Sequence, residues 1–132
     1  MNRTKLLIRF SALYAVVGAF IGGHMAGAGS FAFRAIHAHI LVVGWLSLFA
    51  FAVFYALFAI PKTSKLAAFH VWSAIIGSFG LTAGMWMYFL KPAALPETFT
   101  LIFYIVGGTV LMISFILFAL MTLAYGKVIK DK

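Results

Sequence analysis

The sequence predicts an all-α protein: a polytopic bundle of four transmembrane helices forming a single domain over residues 1–132, with the N- and C-termini cytoplasmic. Three observations predict it. The composition is 65% apolar and 9% charged, far from the soluble norm and within the membrane class. Four apolar stretches, about 5–25, 36–60, 66–90 and 99–125, each reach the roughly 20 residues that a span requires. The charges are also asymmetric. Arg3, Lys5, Arg9, Lys62, Lys65, Lys127, Lys130 and Lys132 fall in the N-terminal segment, the middle loop or the C-terminal segment, which four spans place on one side. Only Arg34 and Lys91 fall on the other, and the positive-inside rule makes the richer side the cytoplasm. The net charge of +8 is thereby explained without nucleic acid, and the basic rim can meet anionic lipid headgroups.

The residues that are missing narrow the chemistry. There is no cysteine, which excludes disulfides, iron–sulfur clusters, thiolate-ligated haem and covalent haem attachment. The only acids, Glu97 and Asp131, lie outside the spans, so the chain carries no intramembrane carboxylate relay. The sequence contains no phosphate-binding loop and no Ser/His/Asp triad.

The first stretch exceeds a signal-peptide core and has no convincing cleavage site followed by a soluble domain, so it is expected to remain as a helix. Gly18 and Gly22 stand at small-xxx-small spacing, which lets another helix approach closely. His24, near the outer end, is either an interfacial residue or an additional ligand. The short Gly, Ala and Ser-rich segment 25–33 reads as a tight outer turn.

The second stretch opens with Arg34-Ala35-Ile36-His37-Ala38-His39. Ionisable residues inside a span are costly, so an intramembrane histidine is a functional-site hypothesis by default. Residues two apart on an α-helix point about 200° apart. His37 and His39 therefore face opposite sides and can each reach a different metal, but not readily the same one. Arg34 either anchors the helix at the headgroups or pairs with an anionic group such as a haem propionate. Gly44 lies two turns after His37 on the same face, leaving space for a flat ligand or for a neighbouring helix. Pro61 ends the helix and Lys62–Lys65 forms a short inner turn.

His70, about one turn into the third helix, lies at the opposite membrane face from the other histidines and reads as interfacial or hydrogen-bonding. Gly77, Gly80 and Gly84 argue for tight packing, and Trp86 and Tyr88 mark the outer interface. The fourth helix, interrupted only by Gly107-Gly108, reads as structural.

The pattern His37-x-His39-x-x-x-x-Gly44-Trp45, then Tyr55 and Pro61, resembles the haem-ligating helix of the heme-copper oxidase catalytic subunit (subunit I) family, nearest the branch of high-affinity oxidases and nitric oxide reductases. His70-Val71-Trp72 with Gly77 is similar to the stretch that follows in that branch, and Arg34-Ala35-Ile36-His37 to the family's earlier haem-ligating helix. The motif covers about residues 34–77; the first and last helices fit by topology alone. The resemblance implies a bacterial inner (plasma) membrane protein holding non-covalent haem b, with His37 and His39 as iron ligands. In the family three four-helix arcs surround the haems, and the His-x-His helix gives one histidine to each haem. The present chain is one arc long and lacks the histidines of the copper site, which argues against oxygen or nitric oxide reduction.

Since one helix cannot turn both histidines to one iron, a haem would have to be shared between copies. In a closed ring, His37 of one protomer meets His39 of the next at every interface. A trimer would rebuild the three-arc layout and is preferred to a dimer, in which His24 would serve as an extra ligand. Three classes follow: a haem b electron-transfer protein, a haem-based gas sensor or scavenger, and a cofactor-free structural or assembly subunit of a respiratory oxidase. In the last, the histidines only hydrogen-bond between helices.

Overall fold

In the computed structural model, which describes residues 2–129, the chain is a multi-pass membrane protein of four helices. They are α1 (Arg3–Ala28), α2 (Arg34–Leu57), α3 (Lys65–Leu90) and α4 (Glu97–Ala124), each long and apolar enough to cross a membrane. Lys130, Asp131 and Lys132, counted above for charge, lie outside the described residues.

The helix ends follow from local chemistry. Asn2 caps α1, its Oδ1 accepting the Lys5 N–H at 2.9 Å. Gly29 ends the helix in the left-handed region (φ 60°), where glycine carries no Cβ penalty, and its N–H returns to the Met25 carbonyl. Ser64 caps α3 by accepting the Ala67 N–H. Helix α2 stops at Leu57, three residues before the expected Ile60. Phe58 is extended, the residue before Pro61 is disfavoured in the α region, and leaving the helix early lets Ile60 pack with Phe54, Ala67 and Met121.

Helix α3 is the hub. Half of its most apolar window is buried, against 17% for α1 and α4, which therefore lie at the edges. Glycines set the α3–α4 contact: Gly77 meets the backbone of Leu111, Gly80 that of Gly107, and Gly84 that of Tyr104. A Cβ at Gly80 would lie 2.8 Å from the Gly107 Cα, so the two backbones touch where side chains would otherwise part them. Helix α1 packs instead on α2, through Gly18 against Ile40 and Leu41. Large side chains fill the seam between these pairs, with Leu7, Leu48, Phe51, Ala52, Val71, Ala74 and Ile75 at its centre.

Two segments widen from α to π geometry, Ile40–Ser47 in α2 and Trp86–Leu90 in α3. Each π turn bonds i to i+5 and shifts the phase of everything that follows. Around the first, Ser11 of α1 donates to the Trp45 carbonyl at 3.0 Å and Ser47 donates to the Val42 carbonyl at 2.8 Å.

Side-chain bonds fix which ends lie together. Arg3 donates to the carbonyls of Pro61, Lys62 and Ser64, and the Tyr125 hydroxyl reaches Ser64 Oγ at 2.6 Å. The start of α1, the α2–α3 turn and the end of α4 thus form one end of the bundle. At the other end lie the two remaining turns, where Lys91 pairs with Glu97 at 3.2 Å in an exposed bridge.

Candidate functional site

His37 and His39 stand in the first two turns of α2, just before the chain widens at Ile40. Both are half-buried. They lie in the regular α segment Arg34–His39, ahead of the π distortion, so the opposite-face geometry of the α period applies to them. The His37 ring lies against Gly22 of α1: a Cβ there would come within 2.9 Å of His37 Cε1. Its Nδ1 is buried without a hydrogen-bond partner.

His39 is held differently. Its Nδ1 is 2.8 Å from the Ala35 carbonyl, one turn earlier on the same helix. A carbonyl can only accept, so the hydrogen-bond network assigns the proton to Nδ1 and leaves Nε2 with a free lone pair. Metal-ligating histidines are commonly held in this way, with the far ring nitrogen donating to a carbonyl that fixes tautomer and ring plane. His39 sits in a row of exposed residues on α2 made by Ala35, Ala38, Val42, Trp45, Leu46 and Phe49, the face that α2 leaves unpacked within the chain.

The other residues at this end are dispersed. Arg34 is exposed and stacks its guanidinium on the Phe31 ring, 4.5 Å from the centroid. His24 is exposed, with its ring edge-on to Phe33 at 6.5 Å. Gly44 faces Tyr14 of α1, whose ring occupies the space that the missing side chain leaves. The glycine that makes room for His37 is Gly22. Among the described residues no three His, Cys, Asp or Glu side chains come together.

A haem ligated by both histidines does not fit within one copy. The large cavity at this end, about 600 Å³, is an apolar groove between α1, α2 and α3. Its wall on this side is Phe33, just ahead of α2, with Ile36 and Ile40 of α2, and neither histidine lines it. His39 alone suits a haem held outside the bundle, because its preset Nε2 lies on the unpacked α2 face; His37 packs against α1 and would have to turn outward to reach the same iron.

The opposite end holds a polar cluster that charge and period do not reveal. His70 has no exposed surface, and of its two expected roles it takes the hydrogen-bonding one. Its Nδ1 is 2.9 Å from the Tyr55 hydroxyl, which also lies 3.2 Å from the Ala67 carbonyl. Phe51 meets the imidazole edge-on at 4.5 Å, and Phe118 closes another side. His70 Nε2 is buried without a partner. Arg3, 8% exposed, stands beside this cluster with its guanidinium 5.6 Å from the Tyr55 ring centroid. In sequence Arg3 is one more basic residue of the rim. The available signal was that Tyr55 and His70 each lie about one turn inside the same end of neighbouring helices.

Comparison with protein-family models, with characterised proteins and with solved structures finds no match, so the likeness to the heme-copper oxidase subunit rests on the residues of the His-x-His helix and its neighbour alone.

Proposed function

We propose that the chain is a haem b protein of the bacterial inner membrane that holds its cofactor between copies of itself, with both termini in the cytoplasm. Axial ligation comes from His39 of one copy and His37 of the next around a closed ring, three copies being preferred to two. The observation that carries the reading is the 2.8 Å bond from His39 Nδ1–H to the Ala35 carbonyl, which presents an unprotonated Nε2 on an outer face. The π segment that begins at the next residue adds support, since such distortions recur at functional sites. Arg34, exposed and bound to no acid among the described residues, would pair with a propionate. The charges divide as the positive-inside rule requires of this orientation: Arg3, Lys5, Arg9, Lys62, Lys65 and Lys127 at one end, Arg34 and Lys91 at the other. When bound, a bis-histidine haem supplies one-electron transfer with both axial positions filled.

His37 favours a second reading. Its Nδ1 lacks the partner that normally supports a ligating histidine, so it is the weaker of the two ligands. A weak axial bond opens a position to nitric oxide, carbon monoxide or oxygen, and the protein would then sense or scavenge a gas.

The test is the dithionite-reduced minus oxidised visible spectrum of protein made under haem-replete conditions, with and without carbon monoxide. A low-spin b-type spectrum that His39→Ala abolishes and carbon monoxide leaves unchanged supports electron transfer. The same spectrum shifted by carbon monoxide supports the gas reading. Colourless wild-type protein overturns both and leaves a cofactor-free assembly subunit.

A further inference from the structure

At the end of the bundle away from His37 and His39, a polar pocket of about 370 Å³ opens between α1 and the α2–α3 turn. Asn2, Arg3, Thr4, Tyr55, Ile60 and Lys62 line it. Its size is at the lower end of the range for small-ligand sites.

Arg3 is the reason to expect a ligand. It is 8% exposed, and its three hydrogen bonds, each 3.0 Å, all go to backbone carbonyls: Nη1 to Pro61, Nη2 to Lys62 and Ser64. A guanidinium carries five N–H donors, so two remain without a protein acceptor. Its charge is also unpaired among the described residues. The only acid there, Glu97, is bridged to Lys91 at the other end. Burying a cation without an anion is costly, and carbonyl dipoles recover only part of that cost. Lys62, exposed at the same pocket, adds a second positive charge. The pocket therefore combines a largely buried guanidinium with two donors left over, an exposed ammonium and the side chains of Asn2 and Thr4, a set complementary to a phosphate.

The place of the pocket decides the source. It lies at the ends of α1 and α2 beside the α2–α3 turn, and basic pockets between helices at the ends of spans bind anionic headgroups. We propose that this pocket holds the phosphate headgroup of one anionic phospholipid, with Arg3 as the fixed donor and Lys62 closing over it, the acyl chains remaining in the bilayer. The assignment is independent of any cofactor at the histidine end.

The experiment is native mass spectrometry of the full chain released from detergent, titrated with phosphatidylglycerol, phosphatidylcholine or inorganic phosphate. One phosphatidylglycerol per chain should be retained in preference to phosphatidylcholine, and millimolar phosphate should not displace it. Lys62→Gln should weaken that lipid about fivefold, the effect of one cation near the surface. Lys127→Gln removes the same charge from the same end, outside the pocket, and should leave binding unchanged. Arg3→Gln should abolish retention; if that variant fails to fold, Lys62→Gln against Lys127→Gln decides. Equal retention of the two lipids, equal losses in the two lysine variants, or full displacement by phosphate would overturn the proposal. The second result would mean a diffuse basic rim, and the third a site for free phosphate.

Discussion

Replacing Tyr55 by Phe deletes a single oxygen from a buried polar contact, and the consequence can be worked from the geometry. His70 has no exposed surface, its Nδ1 lies 2.9 Å from the Tyr55 hydroxyl, and its Nε2 meets nothing. Two tautomers are available and the network selects one. With the proton on Nδ1, His70 donates to Tyr55, Tyr55 donates to the Ala67 carbonyl at 3.2 Å, and only a lone pair on Nε2 goes unmatched. The other tautomer would bury an N–H without an acceptor, the costlier orphan. Tyr55→Phe leaves Nδ1–H in that state. An unsatisfied buried group costs about 1–3 kcal/mol in a soluble core, while interhelical side-chain bonds in a membrane protein average about 0.6 and reach about 1.7 kcal/mol. The complete burial of His70 puts this contact near the top of the membrane range, at about 1.5 kcal/mol. The assay is unfolding in mixed micelles with increasing dodecyl sulfate, followed by helical circular dichroism, on wild type, Tyr55→Phe, His70→Leu and the double variant. The double-mutant cycle isolates the pair from the packing lost with the imidazole. A coupling below about 0.5 kcal/mol, the scatter of independent sites, would refute the network and the tautomer drawn from it.

The same titration checks three further expectations. Gly107→Val should destabilise by about 1–3 kcal/mol, because its Cβ would lie 2.6 Å from the Gly80 carbonyl oxygen and helix backbone cannot yield as a side chain does. Gly23→Val, with nothing within 4 Å of its Cβ, should be neutral. Arg3→Gln should cost about 2 kcal/mol through lost charge-assisted bonds to the α2–α3 turn, and hydrogen exchange should accelerate at both the turn and the start of α1.

Much of the fold is legible in the sequence because it depends on properties that composition and spacing carry. Four apolar runs of sufficient length give the spans, and Gly77, Gly80 and Gly84 mark a tightly packed side of α3, though not that α4 is the helix it meets. What escapes is set by tertiary contact. Nothing in Ile40–Ser47 marks a π segment by composition; its freed carbonyls are met in part by Ser11, on another helix. The expected shared face of His37 and Gly44 holds, since both meet α1, but spacing alone leaves open what fills the room beside Gly44: the Tyr14 ring of the neighbouring helix takes it, and the glycine that makes room for His37 is Gly22. Depth escapes for a related reason. His70 is one turn from Lys65 in sequence, but Tyr55, Phe51 and Phe118 fold over it, and no linear pattern announces a hydrogen bond spanning fifteen residues. The histidine end is legible in part. The sequence names His37 and His39 as intramembrane ionisable residues, but not that one of them is tied to its own helix backbone.

The central claim is that one haem is shared between copies, and complementation tests it most directly. His37→Ala chains retain only His39, and His39→Ala chains retain only His37. Each variant expressed alone should purify without a low-spin b-type spectrum. Co-expressed with different tags and purified through both, mixed oligomers should regain the spectrum, since an interface that pairs His39 of the first chain with His37 of the second is intact. Mixed oligomers that remain colourless while wild type binds haem would contradict the shared site, as would single variants that keep a full complement of haem.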